Sequence, residues 1–275
     1  MSAKPLFQDT SILFDRIVER YDDRGEKIDQ VIEGRFLLAC SFAKLELKSS
    51  LLQKLQRVLN YLVESGSFGA AWERADKNVF ERGTVQNIAR WIWKDVQETI
   101  EVKRGDEADR IAAIQGIALI RIRIRGLWKR IGKMAEFTDK TECARAREAP
   151  TPQSDGSIDC TIHESACRER KCRNSDFFRE RLIEIRKLIG SLRAHEKSGN
   201  EPGLSAELLR ILESLEAATR DADSLYNYRR CRNVGDAWHH LECVAAKVKE
   251  FFTRNHAESQ HLCPHLGLKE VKLPT

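Results

Sequence analysis

Asp9 follows the apolar run Pro5-Leu6-Phe7-Gln8, Asp236 follows Gly235 at the opening of a helical stretch, and Asn255 closes the run Phe251-Phe252-Thr253-Arg254. Each is an oxygen-bearing side chain at the end of a strand-like segment or at the start of a helix. In a parallel α/β sheet such positions collect at the carboxyl edge of the strands, where ligands bind. Carboxylates gathered there repel one another unless a cation joins them, and oxygen ligands suit a hard divalent ion. The chemistry expected is phosphodiester hydrolysis, in which bound Mg²⁺ or Mn²⁺ activates water and stabilises charge on the phosphate. A plainer role as caps and surface acids also fits, since Asp236 is placed to cap its own helix.

The elements that must position these residues follow from periodicity. Residues 4–9 read as a short buried strand, and Ile12, Leu13, Ile17 and Val18 have helical spacing. Phe36–Cys40 reads as a second strand or as the lead into a helix. From about Ser41 a helix runs to Glu64, with Leu45, Leu52, Leu55, Leu59 and Leu62 on one face and Gly66 as its expected C-cap. The middle is largely helical. The alternation Ile120-Arg121-Ile122-Arg123-Ile124-Arg125 resembles a strand but lies inside a helical stretch from Glu107 to Met134, and a helix of this length buries several faces. The pattern dissolves between 142 and 174, a loop of about thirty residues, which is long for a compact domain unless it is functional or tied down. A helix opening at Asp236, a strand at 250–253, a short helix to Leu266 and a terminal strand at 269–273 complete the chain. The expected fold class is α/β, with a parallel sheet built from both chain termini (1–50 and 230–275) and a mainly α-helical insertion at 51–229.

These segments carry a resemblance to the PIN-domain nucleases. Asp9-Thr10-Ser11-Ile12-Leu13 resembles the opening strand and its acid. Ser41-Phe42-Ala43-Lys44-Leu45-Glu46-Leu47 resembles the second motif, a Glu one turn into a helix. Gly235-Asp236-Ala237 and Phe252-Thr253-Arg254-Asn255 resemble the third and fourth, and 261–268 resembles the closing helix. The resemblance covers 1–50 and 230–275. It departs from the family at Asn255, an amide where many members have a carboxylate, and in the length of the insertion. It is similar to the larger bacterial members with a helical, cysteine-bearing insertion. The resemblance implies a Mg²⁺- or Mn²⁺-dependent endonuclease, most often acting on RNA, in a toxin or phage-defence role with an antitoxin or other regulatory protein as partner. Asp9 and Asp236 would then be direct ligands, Glu46 a ligand or water-orienting group, and Asn255 a carbonyl or water-bridged contact. Glu242 is an auxiliary candidate, whereas His239, His240 and His256 are assigned no catalysis.

Cys143, Cys160, Cys167 and Cys172 are separated by sixteen, six and four residues within the irregular stretch. Four thiolates complete a structural Zn²⁺ site, which would supply the stability such a segment lacks. His163 is a substitute ligand. Unpaired thiols in a loop are the equal alternative. Cys40, Cys231, Cys243 and Cys263 sit in apolar contexts and read as small core residues. Arg229, Arg230 and Arg232 precede Asp236 and are the best candidates for contacting nucleic-acid phosphates. Arg121, Arg123, Arg125, Lys129 and Arg130, and Arg168, Arg170, Lys171 and Arg173, read as solvated or packed faces. Trp72, Trp91, Trp93 and Trp128 read as core.

The chain has 275 residues, 41% of them hydrophobic, enough to bury a core. Charged residues reach 32%, and the net charge of +5 permits a phosphate-rich partner without demanding one. No apolar run is long enough to span a membrane, and the start is charged too soon for a signal peptide. The expected setting is cytoplasmic, where the eight cysteines are thiols or metal ligands rather than disulfides. The rival function is a zinc-stabilised helical interaction protein on a catalytically weak PIN-like scaffold.

Overall fold

The computed structural model describes residues 3–18, 24–80, 84–100, 105–161, 167, 172–198 and 204–274. His163, Arg168, Arg170 and Lys171 lie outside the described residues. In chain order the elements are β1 (Lys4–Gln8), α1 (Thr10–Val18), α2 (Arg24–Ile32), β2 (Arg35–Cys40), α3 (Ser41–Leu47), a π-helical turn (Lys48–Leu52), α4 (Gln53–Ser65), α5 (Phe68–Asn78), α6 (Thr84–Thr99) and α7 (Asp106–Ile131). There follow β3 (Glu136–Thr138), α8 (Ala144–Arg147), β4 (Thr151–Pro152), β5 (Ile158–Asp159), α9 (Asn174–Glu180), α10 (Leu182–Ser198) and α11 (Ala206–Arg220). After a 3₁₀ turn (Ala222–Tyr226) come α12 (Tyr228–Asn233), α13 (Gly235–Ala245), β6 (Glu250–Phe252), α14 (His256–His265) and β7 (Lys269–Val271). Among the described residues no helix is long and apolar enough to cross a membrane.

β1 is the middle strand of a five-stranded sheet of order β3-β2-β1-β6-β7, and every pairing in it is parallel. Leu6 lies opposite Leu37 on one side, and Phe7 opposite Phe251 on the other. Strands buried on both faces need continuous apolar runs rather than alternation, and Leu6, Phe7, Phe251 and Phe252 are all fully buried. One face packs Leu6 and Phe252 against Ile12 of α1 and Ile28 of α2. On the other, Phe7 stacks on Phe251 at 6.0 Å, and His240 of α13 lies over Phe251 at 4.0 Å. The amino edge is closed by charge: Glu250 at the start of β6 is bound by Lys4 and Arg35, the first residues of β1 and β2. The bonds from Lys4 and then Arg35 hold the Glu250 carboxyl below the usual glutamate range.

The chain divides into two compact units, one of 1–45, 132–147 and 163–275, the other of 46–131 and 148–162. The sheet-bearing unit is therefore larger than the expected 1–50 plus 230–275. Two features enlarge it. β3 pairs with β2, with Ala39 opposite Phe137, although its sequence lies in the span expected to be insertion. In addition, α9 to α12 belong to this unit, where Phe177 and Phe178 of α9 meet Trp238 of α13.

The second unit is built on α4 to α7. Trp93 of α6 stacks on Phe68 of α5 at 4.9 Å and on Trp72 at 6.0 Å, the core role expected of these tryptophans. Gly116 lets α7 approach closely, because a Cβ there would stand 3.3 Å from both Leu62 and Phe68. α7 is one continuous helix through the Ile-Arg alternation. α4 ends as expected at Gly66, whose left-handed φ of 60° lets its N–H reach the Leu62 carbonyl. The stretch expected to be loop from 142 to 174 instead contains α8 and the β4–β5 antiparallel pair.

Candidate functional site

The order of the sheet locates the edge at which parallel sheets commonly bind ligands. From β1 the chain moves outward through β2 and β3, then returns to place β6 on the other side of β1. The order reverses between β1 and β6, and at such a reversal loops diverge from the carboxyl ends to leave a crevice. Asp9 and Thr253 are the first residues past those two strand ends. Asp9 is 5% exposed, and the hydroxyls of Ser11 and Thr253 both donate to its Oδ2 at 2.8 Å. Burial works to raise the Asp9 pKa, but His239, the two hydroxyls and the Thr10 amide outweigh it and hold the group below its usual value. Asp9 is thus a preserved carboxylate in a dry position. The neighbouring loop is tied to the same hydroxyls: Thr253 Oγ1 accepts from Asn255 N–H at 2.8 Å and Ser11 Oγ from Arg254 N–H at 3.1 Å. Arg254 in turn pairs through Nε with buried Asp15 at 2.6 Å.

Glu258, which the sequence did not single out, belongs to this site. It lies in the first turn of α14 and is 7% exposed. Its Oε1 accepts from Ser205 Oγ at 3.3 Å, while Oε2 is buried with no hydrogen-bond partner among the described residues. Burial first, then the negative charges of Glu207 and Asp9, push its pKa up. The sequence signal was ambiguous because Asn255-x-x-Glu258 has the spacing of a capping box. In the structure the Asn255 side chain makes no capping bond, and Glu258 lies within the field of Asp9.

Asp236 stands half-buried in the first turn of α13. On a helix, residues three and four apart share a face, so Asp236, His239 and His240 lie on one side of α13. That face meets the site: His239 Nε2 is 3.3 Å from Thr10 Oγ1, and His240 Nε2 is 3.2 Å from the hydroxyl of Ser259, next to Glu258. His240 Nδ1 lies 2.7 Å from the Asp236 carbonyl. A carbonyl only accepts, so Nδ1 carries the proton and Nε2 accepts from Ser259. Burial pushes the His240 pKa down to about 4, which keeps the ring neutral at ordinary pH. Glu242, on the same helix, takes a different part. It is fully buried, accepts from the amides of Lys140 and Thr141 at 2.9 and 3.3 Å, and anchors the turn after β3.

The sheet-bearing unit therefore holds Asp9, Thr253, Asn255 and Glu258, and it carries Asp236 on the helix whose histidines meet Thr10 and Ser259. Glu46 is half-buried near the end of α3 and belongs to the other unit, where its carbonyl accepts from Ser49 and Ser50. Among the described residues no group of three or more His, Cys, Asp or Glu side chains is disposed to hold a metal ion as it stands. Arg229, Arg230 and Arg232 are exposed on α12, immediately before α13. Arg123 pairs with Asp95 on the α7 face of the second unit, as expected of a surface role. The cysteines separate: Cys143, Cys167 and Cys172 lie in the sheet-bearing unit and Cys160 in the other. Cys231, assigned by sequence to the core, lies near the first group.

Comparison with protein-family models, with curated proteins and with solved structures finds no match to this chain.

Proposed function

We propose that this protein is a divalent-metal-dependent endonuclease of PIN-like type that hydrolyses phosphodiester bonds, with RNA as the favoured substrate. One observation carries the proposal. At the order reversal of the parallel sheet, a buried aspartate is kept ionised, and its charge acts on Glu258, a second buried carboxyl with an unsatisfied oxygen. A cation entering such a site offsets the effect of the Asp9 charge on the Glu258 carboxyl and favours the ionised form of both acids. The chemical fit is to Mg²⁺ or Mn²⁺: Asp9 and Glu258 offer hard oxygen ligands, Asp236 supplies a further carboxylate from the facing helix, and Asn255 an amide oxygen. Bound there, such an ion would polarise the phosphate and lower the pKa of a water. The chain's own contribution is to hold Asp9 through two hydroxyls and to exclude bulk water. Exposed Arg229, Arg230 and Arg232 would contact backbone phosphates. A toxin or phage-defence role, a cytoplasmic setting and a regulatory protein partner are extensions of the same resemblance.

A second reading has its own observation. The described residues contain no ready-made cluster of three metal ligands, which favours an interaction protein that keeps the scaffold without the activity.

Incubation with labelled RNA and with single- and double-stranded DNA, with and without Mn²⁺, separates the two readings. The nuclease gives metal-dependent cleavage that Asp9→Asn or Asp236→Asn lowers at least ~100-fold, and Asn255→Asp retains it. Cleavage that is absent, or equal in parent and variants, returns the protein to the second class.

A further inference from the structure

Three cysteines of the stretch 143–172 approach one another, and Cys231 of α12 lies near them. The sulfur of Cys172 is in hydrogen-bonding contact with those of Cys143 and Cys167, and Cys143 and Cys167 both act electrostatically on Cys231. Cys143, Cys167, Cys172 and Cys231 are 2%, 4%, 3% and 3% exposed. The backbone ties the same segments together: Cys172 N–H donates to the Cys167 carbonyl at 3.2 Å, and Arg173 N–H to Thr141 at 2.8 Å. We propose that Cys143, Cys167, Cys172 and Cys231 bind one zinc ion as a closed four-thiolate site, with Cys231 taking the place that spacing alone gave to Cys160.

Two observations support this set. The first is geometric. Zn–S bonds of about 2.3 Å place tetrahedral sulfurs about 3.8 Å apart, which is the range of a sulfur–sulfur hydrogen bond. Cys172 thus already meets two of the three other sulfurs with which it would share the tetrahedron. The set is open as it stands, because Cys231 Sγ accepts from Asn174 Nδ2 at 2.8 Å instead of closing on the others. Side-chain rotation, with each ligating thiol releasing its proton to solvent, would close it. The Asn174 amide would then remain as a donor to a ligating sulfur, the usual support of a thiolate site. The second observation is charge. A zinc ion with four thiolates is net negative, and Arg145, only 1% exposed, lies with its guanidinium over the Tyr228 ring at 4.6 Å and acts on both Cys167 and Cys231. Cys160 is engaged elsewhere, with its N–H on Gln56 Oε1 at 3.0 Å. The zinc would pin the turn after β3, the start of α9 and α12 to one another, and α12 leads directly into the helix of Asp236. This inference does not depend on the nuclease reading, because its test measures metal and thiols rather than cleavage.

The test uses the whole chain purified without chelator. Metal analysis should give about one zinc per chain. Alkylation mapped by peptide mass should find Cys143, Cys167, Cys172 and Cys231 protected together, then labelled together once zinc is extracted, with Cys160 unchanged by the extraction. Cys160→Ser should keep its zinc and Cys231→Ser should lose it. If Cys231→Ser does not fold, the alkylation pattern of the parent protein decides alone. Absence of zinc, protection of Cys160 in place of Cys231, or zinc retained by folded Cys231→Ser would each overturn the assignment.

Discussion

Two buried carboxyls in one site respond to pH with opposite signs. Asp9 has its folded pKa lowered from 3.8, so its contribution to stability is present above that value and is lost as pH falls through the lower folded value. Glu258 has its pKa raised from 4.5, so its contribution is full below 4.5 and is lost as pH rises through the raised value. At neutral pH, Asp9→Asn should therefore lower the melting temperature, by the equivalent of about 1–3 kcal/mol for bonds to a charged group. Glu258→Gln should raise it and flatten the acid side of the stability profile. On the nuclease proposal both lose cleavage, so Glu258→Gln becomes a more stable and less active protein. A Glu258→Gln variant that melts earlier would show that the carboxyl is structural. At this scale the sequence was half legible. Asp9 and Asp236 stood out because each ends or opens an element, but Glu258 shared its spacing with an ordinary helix cap. Cys231 was hidden because an apolar context looks the same around a core thiol and a gathered one.

The strands flanking the site are short, and their amino edge holds them in line. Glu250 bridges the first residues of β1 and β2 from the start of β6, so three strands share one carboxylate. Glu250→Gln should lower thermal stability at neutral pH. Because the Glu250 pKa is lowered from 4.5, the difference from the parent should persist above that value and vanish as pH falls through the folded value. A difference in melting temperature that does not shrink in acid would assign the effect to packing. Most elements are readable in advance. The apolar runs of β1 and β6 and the glycine stop of α4 are local signals, and the helical flanks of α7 rightly outweigh its Ile-Arg alternation. β3 could not be read, because its three residues, Glu136-Phe137-Thr138, are too short for a periodicity and follow a long helix. Missing it misplaces the boundary of the sheet-bearing unit, since membership follows from the partner β2 rather than from sequence proximity.

At the scale of the whole molecule, a mild excess of positive charge matters through its distribution. Changing Arg229, Arg230 and Arg232 together to Gln should weaken nucleic-acid binding across sequences and flatten its salt dependence, by a slope of roughly 1 for each phosphate no longer neutralised. Binding isotherms at several salt concentrations would measure this, with Arg121, Arg123 and Arg125 changed to Gln as the control. Weakened binding in the control alone would move the nucleic acid onto α7. The sheet carries a further consequence, for the time during which the chain is made. The Thr253 hydroxyl that orients Asp9 lies 244 residues away from it in sequence. At about 5–20 residues per second, that distance corresponds to roughly 10–50 s of synthesis. Throughout this interval β1 can pair with β2, but its other edge awaits a parallel strand that no local hairpin can supply. An emerging chain thus carries an open edge that invites aggregation or a chaperone, and the carboxylate beside it has the Ser11 hydroxyl but neither that of Thr253 nor its acidic neighbour. On the nuclease proposal, the nascent chain is inert towards the message being translated, and activity arrives only with the late strand β6.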